Sequence, residues 1–158
     1  MWRGALKYQA RVLNLTYVRD TSAIGNRTMG IVLSALLQAG HRPLLPFGDG
    51  HPYDLAFDQN GELRRVQCKT GRMMNGAVYF PTSIWCRDNK WRPYRNDVDY
   101  FGVYCPDTDA VYLVPITDVP DRGACLRVKP AKNNQAKGVR WAKDYVLGRK
   151  VEVAAAAG

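Results

Sequence analysis

The chain has 158 residues, 46% of them hydrophobic and 11% aromatic, which suits one folded domain with a substantial core. Lys and Arg number 23 against 14 Asp and Glu, a formal net charge of +9 that favours a polyanionic partner. Without an apolar run of about 18 residues, an N-terminal signal stretch or a C-x-x-C pair, it is expected to be cytoplasmic, with reduced thiols, no membrane span and no zinc.

The first 20 residues read as an extension in which imperfect alternation over 6–18 fits either a helix or a lead-in strand. Thr21 or Ser22 then caps a helix running to about Ala39, with Gly40 ending it. Ile24, Ile31, Val32, Ala35, Leu36 and Ala39 form its core stripe. Residues 42–46 make a short strand before a loop, Phe47-Gly48-Asp49-Gly50-His51-Pro52, whose glycines and proline let backbone approach a ligand closely. His51 is a candidate phosphate contact, although a lone loop histidine is more often incidental.

Residues 53–58 and 62–69 read as two strands around Asn60-Gly61, the strongest short-range hairpin signal. Further strands are expected at 76–80, 99–104, 110–116 and 124–128, with Asp107 and Asp109 as turn residues. Cys68 and Cys105 alternate as buried strand residues would. Thr82 and Ser83 offer hydroxyls for a cap, a phosphate or a turn. Residues 130–138 form a polar loop, 139–147 a closing helix or strand, and 152–158 a frayed tail. No internal repeat and no interdomain linker interrupts the chain, so 1–158 is one domain. Its class is α/β, with a central mixed β-sheet flanked by helices and decorated by β-hairpins.

The hairpin fixes a constellation. If Asn60 and Gly61 are a two-residue loop, Gln59 faces Glu62 and Asp54 faces Gln67. Directly opposed residues of an antiparallel pair share a face, with Cβ atoms about 4.5–5.5 Å apart. Lys69, two residues on, shares it too. A carboxylate, an amide and an ammonium on one patch are the equipment of a metal-assisted phosphodiesterase. Spacing of this kind also arises on solvated strand faces with no function.

Asp54 together with Gln67-Cys68-Lys69 resembles the PD-(D/E)xK nuclease signature, in the variant with Gln for Glu. The run from Ile24 through Gly40, Pro46, Phe47 and Gly48 to Lys69-Thr70-Gly71-Arg72 is similar to a small subfamily that includes a group I intron homing endonuclease. Val98-Asp99-Tyr100-Phe101, Val111-Tyr112-Leu113-Val114-Pro115 and Asn133-Asn134-Gln135 extend the likeness over about 21–147. The resemblance implies a restriction-endonuclease-like core and a Mg²⁺-dependent DNA endonuclease, with Mn²⁺ as a substitute ion. It implies Asp54, the Gln67 amide oxygen and the Cys68 backbone carbonyl as metal ligands, since Mg²⁺ takes few, oxygen-based protein contacts. Lys69 would hold the attacking water or stabilise transition-state charge.

One position departs from the pattern. Matching Thr28-Met29-Gly30-Ile31-Val32 to the family puts Met29 where a helix Glu commonly stands, and a thioether is a poor ligand for a hard cation. Met29, Leu33 and Leu36 also fall at helical spacing, as ordinary core residues would. The expectation is weak metal binding, slow cutting, and a gain in cleavage on Met29→Glu.

The basic residues sharpen the partner. Arg122, Arg127, Lys129, Lys132, Lys137, Arg140 and Lys143 follow one another without an acidic residue. Arg87, Lys90, Arg92 and Arg95 interleave with Trp85, Trp91 and Tyr94, a mixture that grips phosphates and packs on sugars or bases. Core packing is the preferred reading for Trp85. The expected DNA-contacting set is Arg72, Arg87, Lys90, Arg92, Arg95, Lys132, Asn134, Gln135, Lys137 and Arg140, on double-stranded DNA. A double-strand break needs two sites, so a homodimer or homotetramer is expected. The rival readings are a Holliday junction resolvase and a catalytically silent DNA-binding module of the same fold.

Overall fold

The computed structural model describes residues 20–130 and 137–147. The 6–18 segment, most of the 130–138 loop and the 152–158 tail lie outside these residues. The helix α1 spans Thr21–Gln38, and its N-terminus is capped by Asp20 rather than by Thr21 or Ser22. The Asp20 carboxylate accepts from the N–H groups of Ser22 and Ala23 at 3.0 and 3.1 Å, satisfying donors that no helical carbonyl reaches. Gly40, at φ 86°, ends the helix as expected. Val32, Ala35 and Leu36 are buried in its stripe, whereas Ala39 is exposed beyond the last turn. Among the described residues no helix is long and apolar enough to cross a membrane.

The main sheet has six strands: β1 (Pro43–Leu44), β2 (Leu55–Gln59), β3 (Glu62–Thr70), β8 (Tyr100–Cys105), β9 (Ala110–Pro115) and β11 (Val146–Leu147), in the order β1-β2-β3-β8-β9-β11. β3 and β8 run parallel and the other neighbours antiparallel, so the sheet is mixed as expected. The crossover between β3 and β8 carries β4 (Arg72–Met74), β5 (Ala77–Phe80), β6 (Ser83–Trp85) and β7 (Trp91–Pro93). A second sheet of order β10-β5-β4 adds β10 (Ala124–Arg127), while β6 and β7 form a separate two-stranded hairpin. Residues 139–147 resolve into a single 3₁₀ turn, Ala142–Asp144, and β11.

The two faces of the main sheet are covered differently. Val32 and Leu36 of α1 pack on Leu55, Phe57 and Val66. The helix comes so close that a Cβ on Gly102 would stand 2.6 Å from a Val32 methyl and 3.1 Å from a Val66 methyl. The opposite face holds Phe101, Val103 and Cys105 against Val78, Phe80, Tyr94 and Leu126. Helices on both sides were expected; among the described residues the second cover is the small sheet and the chain around Tyr94 instead. Thr82 and Ser83 are buried there, with Thr82 donating to the Pro120 carbonyl at 2.5 Å, so they are interior groups rather than phosphate contacts.

Candidate active site

The turn that builds the site adopts the expected conformation. Asn60 and Gly61 have φ of 57° and 84°, the left-handed pair a type I′ turn requires, and Gln59 pairs with Glu62. The ladder ends at Leu55↔Val66, and Asp54 meets Gln67 through a side-chain hydrogen bond rather than as a ladder pair. Regular β2 begins at Leu55, so Asp54 sits just outside it, its N–H bonded to the Val66 carbonyl at 2.9 Å. β3 continues to Thr70 and is therefore uncovered on that edge beyond Asp54.

Into this open edge the expected groups converge. Asp54 Oδ2 accepts from Gln67 Nε2 at 2.5 Å and from the Cys68 backbone N–H at 2.7 Å. A strand residue presents its N–H and C=O to the same neighbouring side, so the Cys68 carbonyl faces the same edge. The Cys68 side chain points instead to the α1 face, where burial, reinforced by the Asp54 charge, pushes its thiol far above the ordinary value. That thiol is no nucleophile.

Lys69 lies on the Asp54 side of the sheet. Its Nζ donates to the Tyr94 hydroxyl at 3.0 Å and stands 4.5 Å from the centre of the same ring. Tyr94 is only 4% exposed and packs edge-on against Phe101. A buried phenol thus holds the ammonium in place through a hydrogen bond and a cation–π contact. Tyr94 was expected in the DNA-gripping mixture and Trp85 in the core; the structure reverses both. Trp85 is 52% exposed.

Burial also lifts the Asp54 carboxyl above its ordinary value, against the opposing pull of the Cys68 N–H, the Lys69 charge and the Gln67 amide. The anion is under-compensated by the protein alone, and an added cation would complete it. The available donors are one carboxylate, one amide oxygen and one backbone carbonyl, all hard oxygen. Among the described residues no group of three or more His, Cys, Asp or Glu could hold a metal ion. Such a set does not suit zinc or copper. It fits an ion that keeps most of its water.

Met29 is half-buried on α1 and packs against the helix-face core. The neighbouring Thr28 hydroxyl bonds that of Thr70 at 2.7 Å, which lays this turn of α1 over the end of β3 beyond Asp54. His51 closes its own loop through the Phe47 carbonyl at 2.8 Å.

The basic residues divide into engaged and open ones. Arg92 pairs with Asp97 at 2.5 Å, Arg95 pairs with Asp121, and half-buried Arg140 donates to the Asp118 carbonyl. Arg72, Arg87, Lys90 and Lys137 are exposed. Lys132, Asn134 and Gln135 lie outside the described residues.

Among the described residues, a mixed sheet with one α-helix carries an acid, an amide and a lysine gathered at an open strand edge. The chain belongs to the PD-(D/E)XK endonuclease family, whose model matches residues 19–148. Endonucleases of this family generally depend on a divalent metal. A solved structure of a bacterial homing endonuclease, I-Ssp6803I, has a similar fold, with a TM-score of 0.63 and 23% identity over 80% of this chain and 88% of that one. No curated protein matches the chain.

Proposed function

We propose that the chain is a Mg²⁺-dependent DNA endonuclease whose reaction centre is the Asp54–Gln67–Cys68–Lys69 edge. The convergence of Gln67 and the Cys68 N–H on Asp54, with Lys69 beside them, is the observation that supports this reading. Asp54, the Gln67 amide oxygen and the Cys68 carbonyl would hold the ion. Bound there, Mg²⁺ supplies charge stabilisation to the phosphate and acidifies a water.

The protein's own groups complete the chemistry. Lys69, oriented by Tyr94, faces the charge that develops on the phosphate oxygens. An ammonium is a weak base at neutral pH, so its role is electrostatic and orienting. The Gln67 amide and Cys68 N–H fix the Asp54 carboxylate in one rotamer. Exposed Arg72, Arg87, Lys90 and Lys137 supply phosphate contacts that position the duplex without reading it. One centre cuts one strand, so two copies about a two-fold axis would make a double-strand break.

Supercoiled plasmid incubated with Mg²⁺ or Mn²⁺ tests the reading. Nicked or linear product from the parent chain, and far less from Asp54→Ala or Lys69→Ala, is the expected result. Variants that cut as well as the parent remove it. Titrating the ion against thermal unfolding gives a second readout: Mg²⁺ raises the Tm of the parent and leaves Asp54→Ala unchanged.

A further inference from the structure

The β6–β7 hairpin carries a feature that phosphate binding does not use. Trp85 and Trp91 are direct cross-strand partners, with ring centres 5.1 Å apart and nearly perpendicular planes. The pairing helps hold a two-stranded hairpin together, since such hairpins are marginal alone. It covers only part of each ring: Trp85 remains 52% and Trp91 49% exposed. Among the described residues the hairpin is paired with neither of the other sheets, and its turn holds exposed Arg87 and Lys90. Large open aromatic surface flanked by cations is complementary to a ligand that is both planar and polyanionic.

Its position ties this surface to the reaction centre. β7 runs directly into Tyr94, the residue that holds Lys69. Two residues separate Trp91 from Tyr94, so their Cα atoms lie within about 11 Å. That spacing puts the hairpin within reach of nucleic acid lying across the Lys69 edge.

Inside an intact duplex both faces of every base are covered by its neighbours. An indole finds an open base only at a gap, bulge, fork or nick. We propose that the β6–β7 hairpin is a base-stacking arm that directs this endonuclease to DNA whose stack is interrupted near the cleavage site. Trp85 and Trp91 stack on the unstacked bases while Arg87 and Lys90 hold the adjoining phosphates. The inference rests on the nuclease reading above and narrows its substrate.

The test uses Asp54→Asn full-length chain, so that DNA stays whole, and measures binding to labelled oligonucleotides by anisotropy. The probes are one duplex and the same sequence with a three-base bulge or a short gap. The expected result is about tenfold tighter binding to the interrupted DNA, the effect of one stacked base. Trp85→Leu and Trp91→Leu keep an apolar cross-strand pair but lose the ring face. Combined, they abolish the preference and leave intact-duplex affinity within about twofold. As a second measure, interrupted DNA quenches indole fluorescence in the parent and not in the double variant.

Equal affinity for both probes, or a preference that survives the leucine variant, overturns the arm. Failure to bind either DNA overturns the nuclease reading itself.

Discussion

The two faces of the main sheet solve opposite problems with the same strands. On the α1 face, alternate residues of β2, β3 and β8 are apolar and so closely packed that Gly102 has no room for a methyl group. On the other face the core stops short, and beyond Asp54 the strand edge carries a half-buried acid, an amide and a lysine. The first face maximises contact. The second retains a carboxylate whose burial disfavours its charged form. The larger buried core lies on this second face, so the candidate site sits at the margin of a packed core, where the apolar cover ends.

Substitutions can break this contrast in either direction. The largest effect is expected at Asp54: Asp54→Asn lowers metal-dependent cleavage by at least about 1000-fold, because the ion's charge stabilisation is worth several kcal/mol. The same variant melts no lower than the parent, and higher at neutral pH by about 2 °C or more, since it removes a buried charge. A fall in Tm on Asp54→Asn would mean that the acid stabilises the fold and that the contrast is wrong.

The sign can be followed with pH. The folded Asp54 carboxyl sits above its unfolded value, so its contribution to stability is full below the unfolded value. It is lost as pH rises through the folded one. The melting advantage of Asp54→Asn over the parent should therefore grow from acid towards neutral pH. Asp99 runs the other way: although burial pushes its carboxyl up, the Arg65 N–H and guanidinium win and hold it below its ordinary value. Asp99→Asn should lower Tm at neutral pH, and the loss should shrink as acid protonates the parent's own Asp99.

Next in size is Lys69→Met, expected to cost about 100-fold in cleavage with little change in Tm. Tyr94→Phe keeps the packed ring but frees the ammonium, and should cost about tenfold. On the opposite face, Gly102→Val should destabilise by about 1–3 kcal/mol through overpacking. Cleavage per folded molecule should stay unchanged at low temperature. The smallest effect is expected from Met29→Glu, which adds an acid on the turn of α1 over the end of β3 and should raise metal-dependent cleavage by a measurable factor. No gain would place Met29 among the ordinary core residues.

Much of the site was legible in the sequence because it is local. Asn60-Gly61 selects one turn type, the turn sets the register, and the register brings Asp54 beside Gln67, only 13 positions away. The α1 helix was legible for the same reason, although its cap, Asp20, lay one position before the hydroxyl residues that also suit the role. Tyr94 was not legible. Its contact with Lys69 crosses 25 residues and depends on a core packed from several strands. Two strands of the second sheet, β5 and β10, were legible as strands at 76–80 and 124–128, but the three-residue strands β4, β6 and β7 are too short to show alternation. Trp85 misleads because a large aromatic residue is usually interior, and only the two-stranded context leaves it outside.

The parallel pairing of β3 with β8 forces the chain to travel from one end of the sheet back to the other. Among the described residues, the β6–β7 tip on that path, residues 86–90, joins neither of the other two sheets and can change length without altering the pairing of the main ladder. A lineage could thus retarget the enzyme to new DNA by rewriting residues 84–92 while inheriting the cleavage machinery intact. The same loop offers engineers a graft point where altered selectivity need not be bought with a weakened scaffold.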